Sequence, residues 1–126
     1  MDMRTPLGKA RSHGSARDGV HAWKLERISA VALAPLVLWF AYFAYRVSDT
    51  GYDGYVALIS KPGNTALMIM FIATMFYHMM LGMTVVIEDY VHNDLYRYVL
   101  QLGIRFMAAA MGVFCTVSIL KVAFGV

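Results

Sequence analysis

Three apolar runs, each long enough as a helix to cross the hydrocarbon core of a bilayer, restrict this chain more than any other feature. Lipid offers no partner for backbone N–H and C=O groups, so a lone spanning run satisfies them within itself, as a helix. The first run is ISAVALAPLVLWFAYFAY, Ile28 to Tyr45, and carries no charge. It would rise about 27 Å against a core of about 30 Å. Trp39, Tyr42 and Tyr45 gather at its far end as an aromatic belt does, and Pro35 is expected to kink it. The second run extends from Thr65 to Ile87, with His78 as its strongly polar residue. The third is expected to begin as a helix after Asn93 or Asp94, either of which can cap it. It then follows the interface through Arg97 and Gln101 and crosses from about Phe106 to Val126. Arg105 and Lys121 snorkel near its two ends.

The expected class is therefore all-α: an integral membrane protein with three transmembrane helices, spans about 28–45, 65–87 and 106–126, after a polar segment 1–27. A composition of 60% hydrophobic and 15% charged residues fits no soluble domain of 126 residues. The N-terminal stretch does not read as a cleaved signal peptide, so Ile28 onward is expected to be a retained span. Residues 1–20 are expected to be mobile or folded against a partner, and Arg46 to Asn64 to form a polar loop, part of it along the interface. The single cysteine, Cys115, excludes an internal disulfide, a CxxC metal site and covalent haem attachment through CxxCH. Net charge is only +3 and the basic residues crowd the N-terminus, which suits a membrane flank and excludes a nucleic-acid surface.

Lysine and arginine also orient the chain. Arg4, Lys9, Arg11, Arg17, Lys24, Arg27, Arg97 and Arg105 fall on one side, and Arg46, Lys61 and Lys121 on the other. The N-terminus and the acidic turn from Glu88 are thus expected to face the cytoplasm or matrix.

An ionisable side chain within a span marks a candidate site. His78 has Thr74 one turn before it and Gly82 one turn after, on the same face. A neutral imidazole is a good axial ligand for haem iron, and a glycine leaves room for a porphyrin plane. The competing reading is a core histidine bonded to a carbonyl, serine or threonine of another helix. His13, His21 and His92 lie outside the spans, so a bis-histidine haem would need a ligand from another chain. Eleven and twelve residues on come Asp89 and Tyr90, a carboxylate and a phenol able to bond a quinone carbonyl and help supply protons. Their plainer reading is a solvated helix end with a belt tyrosine. His21 and Arg27 can pair with haem propionates, or simply form the positive flank. The methionines Met68, Met70, Met75, Met79, Met80 and Met83 read as packing or lipid-facing residues.

YHMMLGMTVVIEDYV, Tyr77 to Val91, resembles the second-helix segment of the small hydrophobic membrane anchor of succinate dehydrogenase (respiratory complex II), a b-type cytochrome subunit. Alphaproteobacterial and mitochondrial-type members are the most similar. GSARDGVHAWKLERISAVAL, Gly14 to Leu33, resembles the start of the first helix in the same family. The spacing His-x3-Gly-Met-x5-Asp-Tyr is quite specific, and length and layout agree over almost the whole chain. Ala22, Glu26 and Thr84 depart from the usual pattern.

The resemblance implies a bundle with a larger cytochrome b anchor subunit that shares haem b, with His78 as one axial ligand. Tyr90 and Asp89 would border the ubiquinone site, and His21 and Arg27 the haem propionates or the rim of the quinone site. It implies iron–sulfur and flavoprotein partners that carry the clusters and FAD, and a location in a bacterial or mitochondrial-type inner membrane. The chain itself has no flavin or iron–sulfur motif, so it would take part in the tricarboxylic acid cycle only within the complex. A quinol:fumarate reductase anchor, or a structural or proton-relay membrane subunit, is the alternative.

Overall fold

The computed structural model describes residues 16–125, with side chains from Val20 onward. Four helices lie among these residues: α1 Ala16–Ser48, α2 Gly51–Ile59, α3 Pro62–Tyr90 and α4 Asp94–Phe124. Of these, α1, α3 and α4 are long and apolar enough to cross a membrane. Arg4, Lys9, Arg11 and His13 lie outside the described residues.

The long helices run up, down and up. Ser29 meets His78 and Phe40 stacks on Phe71, so α1 and α3 are antiparallel. Glu88 bonds Gln101 and Phe76 faces Gly112, so α3 and α4 are antiparallel too. The start of α1, the end of α3 and the start of α4 consequently share one end of the bundle, called here the near end.

One expectation is corrected. Arg46 to Asn64 is not a polar loop: α1 continues to Ser48, α3 starts at Pro62, and α2 fills most of what lies between. Tyr52, Tyr55, Val56, Leu58 and Ile59 give this stretch enough apolar surface to fold as a helix against the bundle, despite its glycines. Gly51 turns the chain out of α1 with φ +62, where glycine carries no steric penalty.

The main core lies at the far end, under α2. Ile59 is fully buried, at 0% exposure, among Phe43 of α1, Met68 of α3 and Ile119 of α4. Tyr55 meets Phe43 edge-on at 6.2 Å between ring centroids. Burial and the neighbouring Tyr52 both raise the Tyr55 hydroxyl pKa, burial more, so it stays protonated.

A short helix leaves its last carbonyls without intrahelical partners. Here the start of α3 supplies them. Asn64 Nδ2 donates to Leu58 O at 2.8 Å, and the Thr65 hydroxyl reaches both Ile59 O and Lys61 O. Pro62 opens α3, where its missing N–H costs nothing. Asn93 caps α4, its side chain accepting from the N–H groups of Leu95 and Tyr96, as the sequence led one to expect. Gly125, at φ 68, closes α4 in the left-handed conformation.

Thr65→Val keeps the shape and removes the hydroxyl. It is expected to destabilise the far end by about 1–3 kcal/mol, the cost of a buried acceptor left unpaired. Thermal unfolding of the detergent-solubilised complex should fall for Thr65→Val and recover in Thr65→Ser.

Candidate functional site

Two polar side chains are buried among the described residues: Thr65 at 9% exposure and Ser29 at 5%. Thr65 is accounted for by α2. Ser29 sits on α1 opposite His78, its Oγ 2.9 Å from Nδ1 of the imidazole. The same Oγ donates to Glu26 O, also at 2.9 Å. His78 is half-buried on α3. It is thus a histidine bonded to a serine of another helix, the plainer of the two arrangements its sequence allowed, and this leaves Nε2 over. Among the described residues nothing bonds Nε2.

The face around His78 is open on one side. A Cβ on Gly82 would meet nothing within 4 Å among the described residues, so the glycine serves no close packing against them. Thr74, one turn before, lines a groove of about 460 Å³ between α1 and α3 together with Ile28, Ser29, Ala32 and Tyr77. A second groove of about 460 Å³ lies between α3 and α4, apolar except for Tyr77, Arg105 and Thr116 at its wall. Among the described residues, no cluster of three or more His, Cys, Asp or Glu could hold a metal by itself. Any metal chemistry at His78 therefore needs further ligands from outside the described chain.

Tyr90 is the last residue of α3 and stands 78% exposed. Asp89 is exposed beside it, and no hydrogen bond joins the two side chains, which leave a helix about 100° apart. Glu88 is tied instead, accepting from Gln101 Nε2 at 3.0 Å. Arg97 also serves the turn, donating from Nε to Val91 O at 3.0 Å. On α1, His21 is exposed, and Arg27 lies over the Trp23 ring at 5.4 Å.

The register sets their heights. Arg27 precedes Ser29 by two residues, so it is only about 3 Å along the helix from the level of His78. His21 is about 12 Å toward the near end, and Tyr90 about 18 Å. The structure therefore brings Arg27 close to the histidine level, groups Asp89 and Tyr90 at the near end, and makes no direct contact among the four. The residue that sequence reasoning missed is Ser29. Its signal was present: apart from tyrosines, it is the one polar side chain in the first apolar run.

Residues 1–118 match the family described as succinate dehydrogenase/fumarate reductase transmembrane subunit. The chain belongs to this family. A succinate dehydrogenase hydrophobic membrane anchor subunit from Rickettsia bellii is 35% identical over 104 residues, covering 82% of this chain and 83% of its own. One from Rickettsia conorii is 33% identical over 121 residues, 94% of this chain and 89% of its own. The succinate dehydrogenase membrane anchor subunit of Reclinomonas americana is 30% identical over 95 residues, 73% and 79% of the two chains. This is a multi-pass membrane anchor that works in a complex with other subunits.

Within that complex the open face at Gly82 is available to a neighbour. Gly82→Leu is expected to leave the amount of this chain in membranes unchanged while lowering recovery of the assembled complex. Immunoblots of membranes and of the purified complex check this. Full recovery would mean that only lipid lies against the glycine.

Proposed function

We propose that this anchor subunit holds the flavin and iron–sulfur subunits of succinate:ubiquinone oxidoreductase to the membrane, shares haem b with a larger anchor subunit, and helps build the ubiquinone-reduction site. The observation that carries the reading is the half-buried His78, engaged through Nδ1 and with Nε2 free. The residues fit the group. The donor is an imidazole nitrogen, and one turn away Gly82 opens onto empty space. Haem bound there supplies a one-electron couple; the chain's own part is to hold and tune it.

His78 would hold the iron through its free ring nitrogen, with a further ligand from the larger anchor subunit. Arg27, close to the histidine level, would pair with a propionate, its guanidinium being suited to a carboxylate. His21, about 12 Å further toward the near end, belongs with the rim of the quinone site rather than with the iron. Tyr90 presents an exposed hydroxyl that can donate to a quinone carbonyl. Asp89, on the adjacent flank of the same turn, is the carboxylate from which a proton can be delivered. Both lie at the end where α1 begins. The lysine and arginine distribution supports a cytoplasmic or matrix side for that end, and a bacterial or mitochondrial-type inner membrane is the location that goes with the succinate dehydrogenase reading. The relatives carry succinate dehydrogenase in their names, which favours succinate oxidation over fumarate reduction.

In the purified complex, His78→Ala is expected to abolish or displace the reduced b-type absorption while succinate oxidation by an artificial acceptor persists. An unaltered spectrum would remove the ligand role. Tyr90→Phe is expected to lower quinone-coupled turnover about 2- to 10-fold, the cost of losing a neutral hydrogen bond worth about 0.5–1.5 kcal/mol, with artificial-acceptor activity retained. Equal quinone turnover would take Tyr90 out of the site.

A further inference from the structure

Ser29 differs from three other hydroxyl residues of the spans. Thr84 donates to Met80 O, Thr116 to Gly112 O and Ser118 to Phe114 O, each back onto its own helix. Such a back-bond satisfies a hydroxyl in an apolar setting, and nothing more is needed. Ser29 makes the same kind of bond, to Glu26 O, yet it also lies 2.9 Å from Nδ1 of His78 across the helix interface. At 5% exposure it is more deeply buried than the histidine it meets.

A hydroxyl has one proton. A carbonyl oxygen can only accept, so the bond to Glu26 O uses that proton. The Ser29 oxygen is then left with lone pairs, and the contact with His78 requires the hydrogen to sit on Nδ1. A neutral imidazole protonated at Nδ1 carries its free lone pair on Nε2. We infer that Ser29 is a positioning residue for His78: through the chain Nδ1–H to Ser29 Oγ to Glu26 O, it fixes both the tautomer and the ring orientation that present Nε2 to iron. The inference rests on the haem reading of the preceding subsection and deepens it.

The partner of a ligand histidine's second nitrogen tunes the ligand. A serine oxygen is neutral, so it accepts from Nδ1–H without pulling the ring toward imidazolate as a carboxylate would. Removing it leaves Nδ1–H unpaired in an apolar slot, makes the ring a poorer electron donor, and frees it to rotate. A poorer donor stabilises ferric iron less, so the midpoint potential moves to more positive values.

The test uses the purified complex, with a redox titration of the haem band and the low-spin ferric EPR signal as readouts, neither of which depends on turnover. Ser29→Ala is expected to shift the midpoint positive and to broaden or displace the EPR signal, and Ser29→Thr, which keeps the hydroxyl, to restore both. Should Ser29→Ala not assemble, Ser29→Cys provides a near-isosteric weak acceptor and is expected to shift the midpoint in the same direction. If the assembled variant keeps the wild-type potential and EPR signal, Ser29 does not position the ligand. If Ser29→Thr is displaced as far as Ser29→Ala, the hydroxyl is not the cause and the inference is overturned. His78→Ala separates the two levels. Haem loss there with no effect at Ser29 removes only this inference, whereas an unaltered b-type spectrum removes the haem reading beneath it.

Discussion

An apolar bundle tolerates a buried polar group only when something pairs with it, and this one condition organises the chain. Among the described residues, the one side-chain hydrogen bond across the interface of α1 and α3 joins Ser29 to His78. Its effect on packing follows from helix geometry. A slip of one residue along either helix rotates a side chain by about 100° and moves it about 1.5 Å, which would leave the imidazole Nδ1 without its partner. The pair therefore sets the register that the apolar contacts around it, such as Phe40 on Phe71, leave less sharply defined. The register then determines that Arg27 comes level with the histidine while Tyr90 stands well above it.

The same condition explains the far end by other means. There the unpaired groups are backbone carbonyls, left over where α2 stops. Asn64 and Thr65 meet them from the first turn of α3. Because those carbonyls are satisfied locally, α2 can press Ile59 into the bundle rather than remain in water. A connection that would otherwise be a solvated loop thus becomes part of the core.

What the sequence made legible, and what it did not, divides along this line. Long apolar runs are read directly from composition, and Asn93 as a cap from its residue type, so the three long helices and the start of α4 could be anticipated. His78 was conspicuous because an imidazole in a long apolar stretch is costly unless something pairs with it. In contrast, α2 was hidden because its stability comes from Asn64, Thr65 and a pocket made by three other helices, not from its own glycine-bearing sequence. Ser29 was hidden for a related reason. A serine within a span usually satisfies itself by a back-bond, and nothing in one dimension tells which serine also faces a histidine 49 residues away. The relative heights of His21, Arg27, Asp89 and Tyr90 likewise needed the register, which that pair supplies.

The two ends of the bundle consequently have different work. At the far end Phe43, Ile59, Met68 and Ile119 form a core within this chain, with Tyr42, Tyr45, Tyr52 and Phe124 left exposed around it. The near end does not close. Tyr90, Leu95, Tyr96 and Tyr98 project there with most of their surface uncovered, around the turn that Glu88, Gln101 and Arg97 hold in shape. Aromatic side chains with a polar tip suit a headgroup belt and equally the rim of a protein contact. A chain built to stand alone would gain by covering them. In a family of subunits that function in a complex, an end whose turn is held in shape but whose aromatic surface is left bare is open to a docking partner.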